Sequence, residues 1–308
     1  MQYVLQVVLL ILGFVMLWKG ADWFVDGASN IATKFKIPQI VIGLTIVAMG
    51  TSAPEATVSI MSSIQGKADL AVGNVLGSNL FNVLIILGLS ALVFPLIIKK
   101  DTVYIEIPYV ILITFLIIIM GLDGNISRLD GIILLLCFII YLLYLFFKAK
   151  NEREEIIEPV KQKPIWLSIL FTIIGLACII FGSRFVIDSA TFFAEKLGIS
   201  DRLIALTIVA FGTSLPELFT SVAASRKKNP DIAIGNIIGS NIFNVVFVLM
   251  LASIVKPLPY SQAFTLDSIF ALASPLLLLL LTFANKKLTR FSGVILLLSY
   301  VVYFIILL

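Results

Sequence analysis

"LTIVAMGTSAPE" at 44–55 recurs as "LTIVAFGTSLPE" at 206–217, and "DLAVGNVLGSNLFNV" at 69–83 recurs as "DIAIGNIIGSNIFNV" at 231–245. Both pairs stand 162 residues apart, so one shift aligns the chain with itself without a gap. About half of the positions over 42–90 are identical under that shift. Gly20 and Asp26 meet Gly182 and Asp188 in the same way. The chain therefore reads as a fused duplication. The repeated blocks are rich in Gly, Ser, Thr, Asn and Glu, whereas a scaffold repeat would be expected to match best in its apolar packing.

The surroundings of these blocks are strongly apolar. Of 308 residues, 60% are hydrophobic and 13% charged, and the mean hydropathy is +1.11. Soluble domains carry about 25% charge. Such a chain is expected to sit in lipid. The net charge of +4 lies in short gaps between apolar runs, so no nucleic-acid partner is expected. Histidine is absent, which removes His-based catalytic triads, His-ligated zinc and His proton relays. Cys137 and Cys178 both fall within apolar runs and read as packing residues.

A membrane-spanning helix needs about 20 apolar residues. Ten candidates follow along the chain, near 4–26, 38–64, 70–96, 103–121, 128–147, 165–190, 203–225, 231–255, 264–284 and 291–308. The fold class expected is all-α integral membrane, with ten transmembrane helices in two inverted five-helix repeats. The first repeat covers 1–147, a linker 148–163, and the second repeat 164–308. Five spans per repeat is an odd number, so the second copy enters the membrane upside down. That is the plan of secondary transporters with ion sites near the midplane.

Basic residues in the gaps set the orientation. One set of gaps holds Lys34, Lys36, Lys99, Lys100, Lys148, Lys150, Arg153, Lys161, Lys163, Arg226, Lys227, Lys228, Lys286, Lys287 and Arg290. The opposite set holds Lys67, Arg128, Lys196, Arg202 and Lys256. The richer set is expected in the cytoplasm. Both termini then lie outside, and the mixed Lys/Glu loop 148–163 is cytoplasmic. The N-terminal run reads as the first span rather than a cleaved leader.

Glu55 and Glu217 occupy equivalent positions inside apolar spans. A carboxylate there is costly unless it is paired, hydrated or bound to a cation. Lys19 and Arg184 are the alternative partners, but neither is matched by the repeat. Thr51 and Glu55 are four apart and would share one face of a helix. Pro54 and Pro216 cannot donate to the carbonyl four residues earlier, which is expected to loosen carbonyls near Ala48, Gly50 and Thr51 and near Ala210, Gly212 and Thr213. Ser78 with Asn82, and Ser240 with Asn244, are likewise four apart. Gly73/Gly77 and Gly235/Gly239 are small-xxx-small pairs that let helices approach. Asn79 and Asn241 read equally well as site residues or as links between helices.

The candidate ion-binding set is thus Ala48, Thr51, Ser52, Glu55, Ser78 and Asn82, with Ala210, Thr213, Ser214, Glu217, Ser240 and Asn244. Its donors are all hard oxygens. Ca²⁺ takes about 6–8 of them, and soft metals are disfavoured. Na⁺ is also an oxygen-seeking cation. No cofactor is expected beyond transported Ca²⁺ and Na⁺. Both halves of the site lie in one chain, so a monomer suffices for transport, and no oligomeric state is implied.

At these motifs the chain resembles the calcium/cation antiporter superfamily, and within it the prokaryotic sodium/calcium exchangers. The resemblance spans the whole chain. It implies a diamond of ion sites built by spans 2, 3, 7 and 8, with Glu55 and Glu217 as shared ligands. It also implies that Thr51, Thr213, Ser78, Ser240 and the Ala48 and Ala210 carbonyls complete the sites, and that spans 1 and 6 slide across this core. Asn244 stands where some relatives carry Asp, which leans against potassium co-transport. The large regulatory loop of animal exchangers is absent. The function expected is therefore sodium/calcium antiport, with calcium/proton antiport at the same site as the alternative. An intramembrane enzyme is disfavoured, because both acids follow a Pro and no partner motif exists.

Overall fold

The computed structural model describes residues 2–66, 68–152, 164–198 and 210–307. Outside them lie Lys67, Arg153, Lys161, Lys163 and Arg202 of the charge pattern, most of the expected linker, and the beginning of the expected seventh span.

The described residues are mainly helical: α1 Gln2–Phe35, α2 Gln39–Thr51, α3 Ala53–Ile64, α4 Asp69–Val93, α5 Thr102–Asp123, α6 Arg128–Asn151, α7 Ile165–Lys196, α8 Ala210–Thr213, α9 Leu215–Arg226, α10 Pro230–Val255, α11 Gln262–Phe283 and α12 Arg290–Leu307. Among the described residues, eight helices are long and apolar enough to cross a membrane. There are nine if α2 and α3, bent by 50° at Ser52, form one broken span.

Local chemistry sets several helix starts. Ser127 caps α6 in a reciprocal capping box with Asp130. Asn229 caps α10 by accepting the Ile232 N–H at 3.2 Å, and Pro230 follows where a missing N–H does no harm.

Burial divides the helices into two kinds. In α4 and α10, 78% and 83% of the apolar window is buried, against 22% in α1 and 28% in α7. The repeated GN-xx-GSN-xx-N helices therefore form the centre. The outer helices present Leu, Ile, Phe and Val outward, as lipid-facing surface must.

α1 and α7 pack closely through small residues. A Cβ on Gly13 would lie 2.8 Å from the Gly182 carbonyl, and one on Gly20 2.8 Å from the Gly175 carbonyl. Gly235 and Gly239 of α10 approach α2 in the same manner: an added Cβ would lie 2.9 Å from Gly43 Cα and 2.7 Å from the Leu44 carbonyl, respectively.

Two short antiparallel ladders join loops of the two halves. Leu96–Ile97 pairs with Lys287–Leu288, and Asn125–Ile126 pairs with Leu258–Pro259. They modify the all-helical expectation slightly, since strands of two residues carry no periodic signature.

Candidate functional site

Two kinds of break gather polar groups at the centre. The first is the bend at Ser52. Pro54 sits in the first turn of α3, where its missing N–H is tolerated, so the helix stops at Thr51 and restarts at Ala53. Thr51 and Glu55 thus lie on successive helices rather than on one face of a single helix, which corrects the sequence expectation. Ser214 and Pro216 repeat the device between α8 and α9.

The second break is a π-turn, Asn82–Ile86 in α4 and Asn244–Leu249 in α10. Each starts at the motif's last asparagine. Such turns displace the i→i−4 ladder and recur at functional sites.

Glu55 and Glu217 are fully buried. Each is held by the serine of the other motif. Ser52 Oγ donates to Glu217 Oε1 at 2.7 Å, and Ser214 Oγ donates to Glu55 Oε1 at 3.1 Å. Ser240 Oγ lies 3.4 Å from Glu217 Oε1 and 3.4 Å from the Ala48 carbonyl. Among the described residues no Lys or Arg forms an ion pair with either carboxylate, so Lys19 and Arg184 are not their partners.

The Ala48 carbonyl is not stripped of donors, as it accepts the Ser52 N–H at 3.0 Å. Thr51 Oγ1 donates to Asn236 Oδ1 at 3.0 Å. Ser78 is buried on α4, one turn before Asn82. Thr213 closes α8, which begins at Ala210.

Asn79 and Asn241 link α4 to α10. The Nδ2 of each donates to the other's backbone carbonyl at 3.1 Å. Their Oδ1 atoms accept from Asn82 Nδ2 at 3.0 Å and Asn244 Nδ2 at 3.1 Å, in crossed fashion.

Asn74 and Asn236 join the site region in the structure, beyond the residues expected from sequence. Asn74 Nδ2 donates to Ser59 Oγ at 2.9 Å and lies 3.3 Å from the Glu55 carbonyl. Asn236 does the same to Ser221 at 2.9 Å and the Glu217 carbonyl at 3.4 Å. The signal was present as the GN dipeptide repeated at 73–74 and 235–236.

Eleven buried side-chain oxygens lack a hydrogen-bond partner among the described residues, and four of them belong to the repeated motifs. Glu55 Oε2, Glu217 Oε2, Asn82 Oδ1 and Asn244 Oδ1 are buried and have no hydrogen-bond partner. These are two repeat-related pairs of oxygens. Orphaned buried acceptors cost free energy unless something completes them. Hard cations do so, and the donor set suits Ca²⁺ or Na⁺. No group of three or more His, Cys, Asp or Glu forms among the described residues, so neutral oxygens would have to complete any coordination shell.

The family model for sodium/calcium exchanger proteins matches residues 5–147 and 167–308. The chain belongs to the sodium/calcium exchanger family. It is 33% identical to the sodium/calcium exchanger MaX1 of Methanosarcina acetivorans, with 97% of each chain covered. It is 40% identical to the inner membrane protein YrbG of Escherichia coli, over 82% of this chain and 81% of that one. A solved structure of the sodium-calcium exchanger NCX_Mj, soaked with 10 mM Na⁺, superposes with a TM-score of 0.87 at 34% identity, covering 98% of this chain and 99% of that one. Membership makes the chain a multi-pass membrane antiporter rather than an enzyme. The family's ions are sodium and calcium, and it carries no cofactor.

Proposed function

We propose that the chain exchanges sodium for calcium across the cytoplasmic membrane by alternating access at a midplane site centred on Glu55 and Glu217. The observation that carries this reading is that four of the buried oxygens without a partner, two carboxylate and two amide, fall in repeat-related pairs within the motifs. A Ca²⁺ or several Na⁺ would neutralise the same two carboxylates, so the ions compete for one site and antiport follows. Ala48, Thr51, Ser52, Ser78 and Asn82 form the first-half wall. Ala210, Thr213, Ser214, Ser240 and Asn244 form the second.

The architecture we infer is ten spans in two inverted repeats, 1–147 and 164–308, joined by a cytoplasmic linker at 148–163, with both termini outside. The paired hydrogen bonds across the 162-residue offset and the separate family matches to the two halves support it. One chain supplies every proposed ligand, so a monomer in a lipid bilayer suffices.

Proteoliposomes loaded with Na⁺ and diluted into Na⁺-free buffer test the coupling. Uptake of radioactive calcium that requires the outward Na⁺ gradient is the expected result. Uptake driven by a pH gradient alone would replace sodium with protons at the same site.

A further inference from the structure

The Oδ1 atoms of Asn82 and Asn244 can meet a cation only if both amides keep their oxygens turned toward it. An amide is nearly symmetric in shape, and rotation by about 180° would present its NH₂ instead. A buried carboxylate within reach would favour that rotation, because an NH₂ donates readily to a carboxylate. Ser240, one turn before Asn244, already lies 3.4 Å from Glu217 Oε1. An unheld amide would thus compete with the ion for the carboxylates.

The hydrogen bonds across α4 and α10 determine which way all four amides face. Backbone carbonyls only accept. The carbonyl of Asn241 therefore requires the Nδ2 of Asn79, and the carbonyl of Asn79 requires the Nδ2 of Asn241. Both Oδ1 atoms must then face the other way. There they meet Asn244 and Asn82, which are compelled to answer with Nδ2. Only their oxygens remain, and those are the orphaned pair. Two immovable backbone carbonyls thus determine the orientation of two distant oxygens through a relay of amides.

We propose that Asn79 and Asn241 are positioning residues that lock the Asn82 and Asn244 amides with their oxygens presented to the transported cation. The proposal rests on reading Glu55, Glu217, Asn82 and Asn244 as the ion site. The relay is crossed, so Asn241 controls Asn82 and Asn79 controls Asn244.

Calcium binding to purified protein, measured by calorimetry, tests it. Asn241→Leu should weaken binding at least tenfold. In an Asn82→Asp background the same change should weaken it less than threefold, because a carboxylate presents an oxygen whichever way it turns. Asn241→Ala carries the same expectation and cannot overpack, which covers the case in which leucine folds poorly. Equal losses in both backgrounds would mean a purely structural link, and an unchanged affinity in Asn241→Leu would equally overturn the proposal. Glu217→Gln separates the two readings. If it binds calcium normally, the site assignment fails. If it abolishes binding while Asn241→Leu does not weaken it, only the positioning role fails.

Discussion

Ser52 and Glu217 belong to different repeats, yet the Ser52 hydroxyl donates to Glu217 Oε1 at 2.7 Å. Ser214 returns the bond to Glu55 at 3.1 Å. Each motif thus supplies the acid for its own half and the donor for the other, so the proposed site draws on both halves. Hydrogen bonds to charged groups are worth about 1.5–3 kcal/mol. Ser52→Ala should therefore raise the calcium concentration for half-maximal exchange by about tenfold or more. Ser214→Ala should do the same, though its longer bond predicts the smaller effect. Calcium titration of transport in proteoliposomes checks both.

Glu55→Gln and Glu217→Gln keep the shape of the side chain and remove the charge. With one carboxylate left, a divalent ion is under-neutralised in a site of low polarity, and exchange should fall to background. The fold should survive, since a buried amide is less costly than an unpaired buried carboxylate. A ligand that binds only the native state stabilises it by about 2.7 kcal/mol at a hundredfold excess over Kd. Calcium should accordingly raise the melting temperature of the wild type and leave that of either variant unmoved. Normal calcium flux in either variant would remove these two residues from the site.

The repeat, the long apolar runs and the two buried acids were legible in the sequence because each is a pattern of residue types. The breaks were not. From sequence, Pro54 loosens a continuous helix, whereas the chain ends one helix at Thr51 and begins another at Ala53. The difference moves Glu55 into a first turn and separates it from Thr51. The π-turns at Asn82 and Asn244 have no compositional signature. Asn79 and Asn241 stood evenly between ligand and link, and only their partners across the bundle decided for the link. The Glu106–Lys148 pair has no sequence signature, because its members lie 42 residues apart and Glu106 meets the uncharged Ser268 in the repeat.

The contact of α1 with α7 offers a different kind of test. A Cβ on Gly175 would fall 2.5 Å from the backbone nitrogen of Phe24 and 2.7 Å from the Gly20 carbonyl. Backbone cannot give way as a side-chain end can, so the helices would have to separate along their length. Gly175→Val should lower the melting temperature in detergent and depress exchange. Gly124→Ala, whose added Cβ meets nothing within 4 Å, should show only the smaller strain of its positive φ of 87°. Equal effects of the two would argue against tight α1–α7 packing.

Away from the site, Lys148 presents a buried charge with a full set of partners. Its Nζ lies 2.8 Å from Glu106 Oε1 and 3.0 Å from Asp101 Oδ2, and both Lys148 and Glu106 side chains are almost wholly buried, at 2% and 1% exposure. The Tyr144 hydroxyl adds a bond to Glu106 at 2.8 Å. Removing one partner of such a pair leaves the other charge uncompensated and costs about 3–5 kcal/mol, while removing both is often close to neutral. Lys148→Met should therefore destabilise the protein strongly, and Glu106→Gln in the same chain should restore much of the loss. Thermal unfolding of the two single variants and the double gives the coupling directly. Exchange by the double variant should retain its wild-type calcium dependence, because none of these groups touches the carboxylates or amides of the proposed site. Additive losses would instead show that the pair contributes little beyond the packing of each side chain.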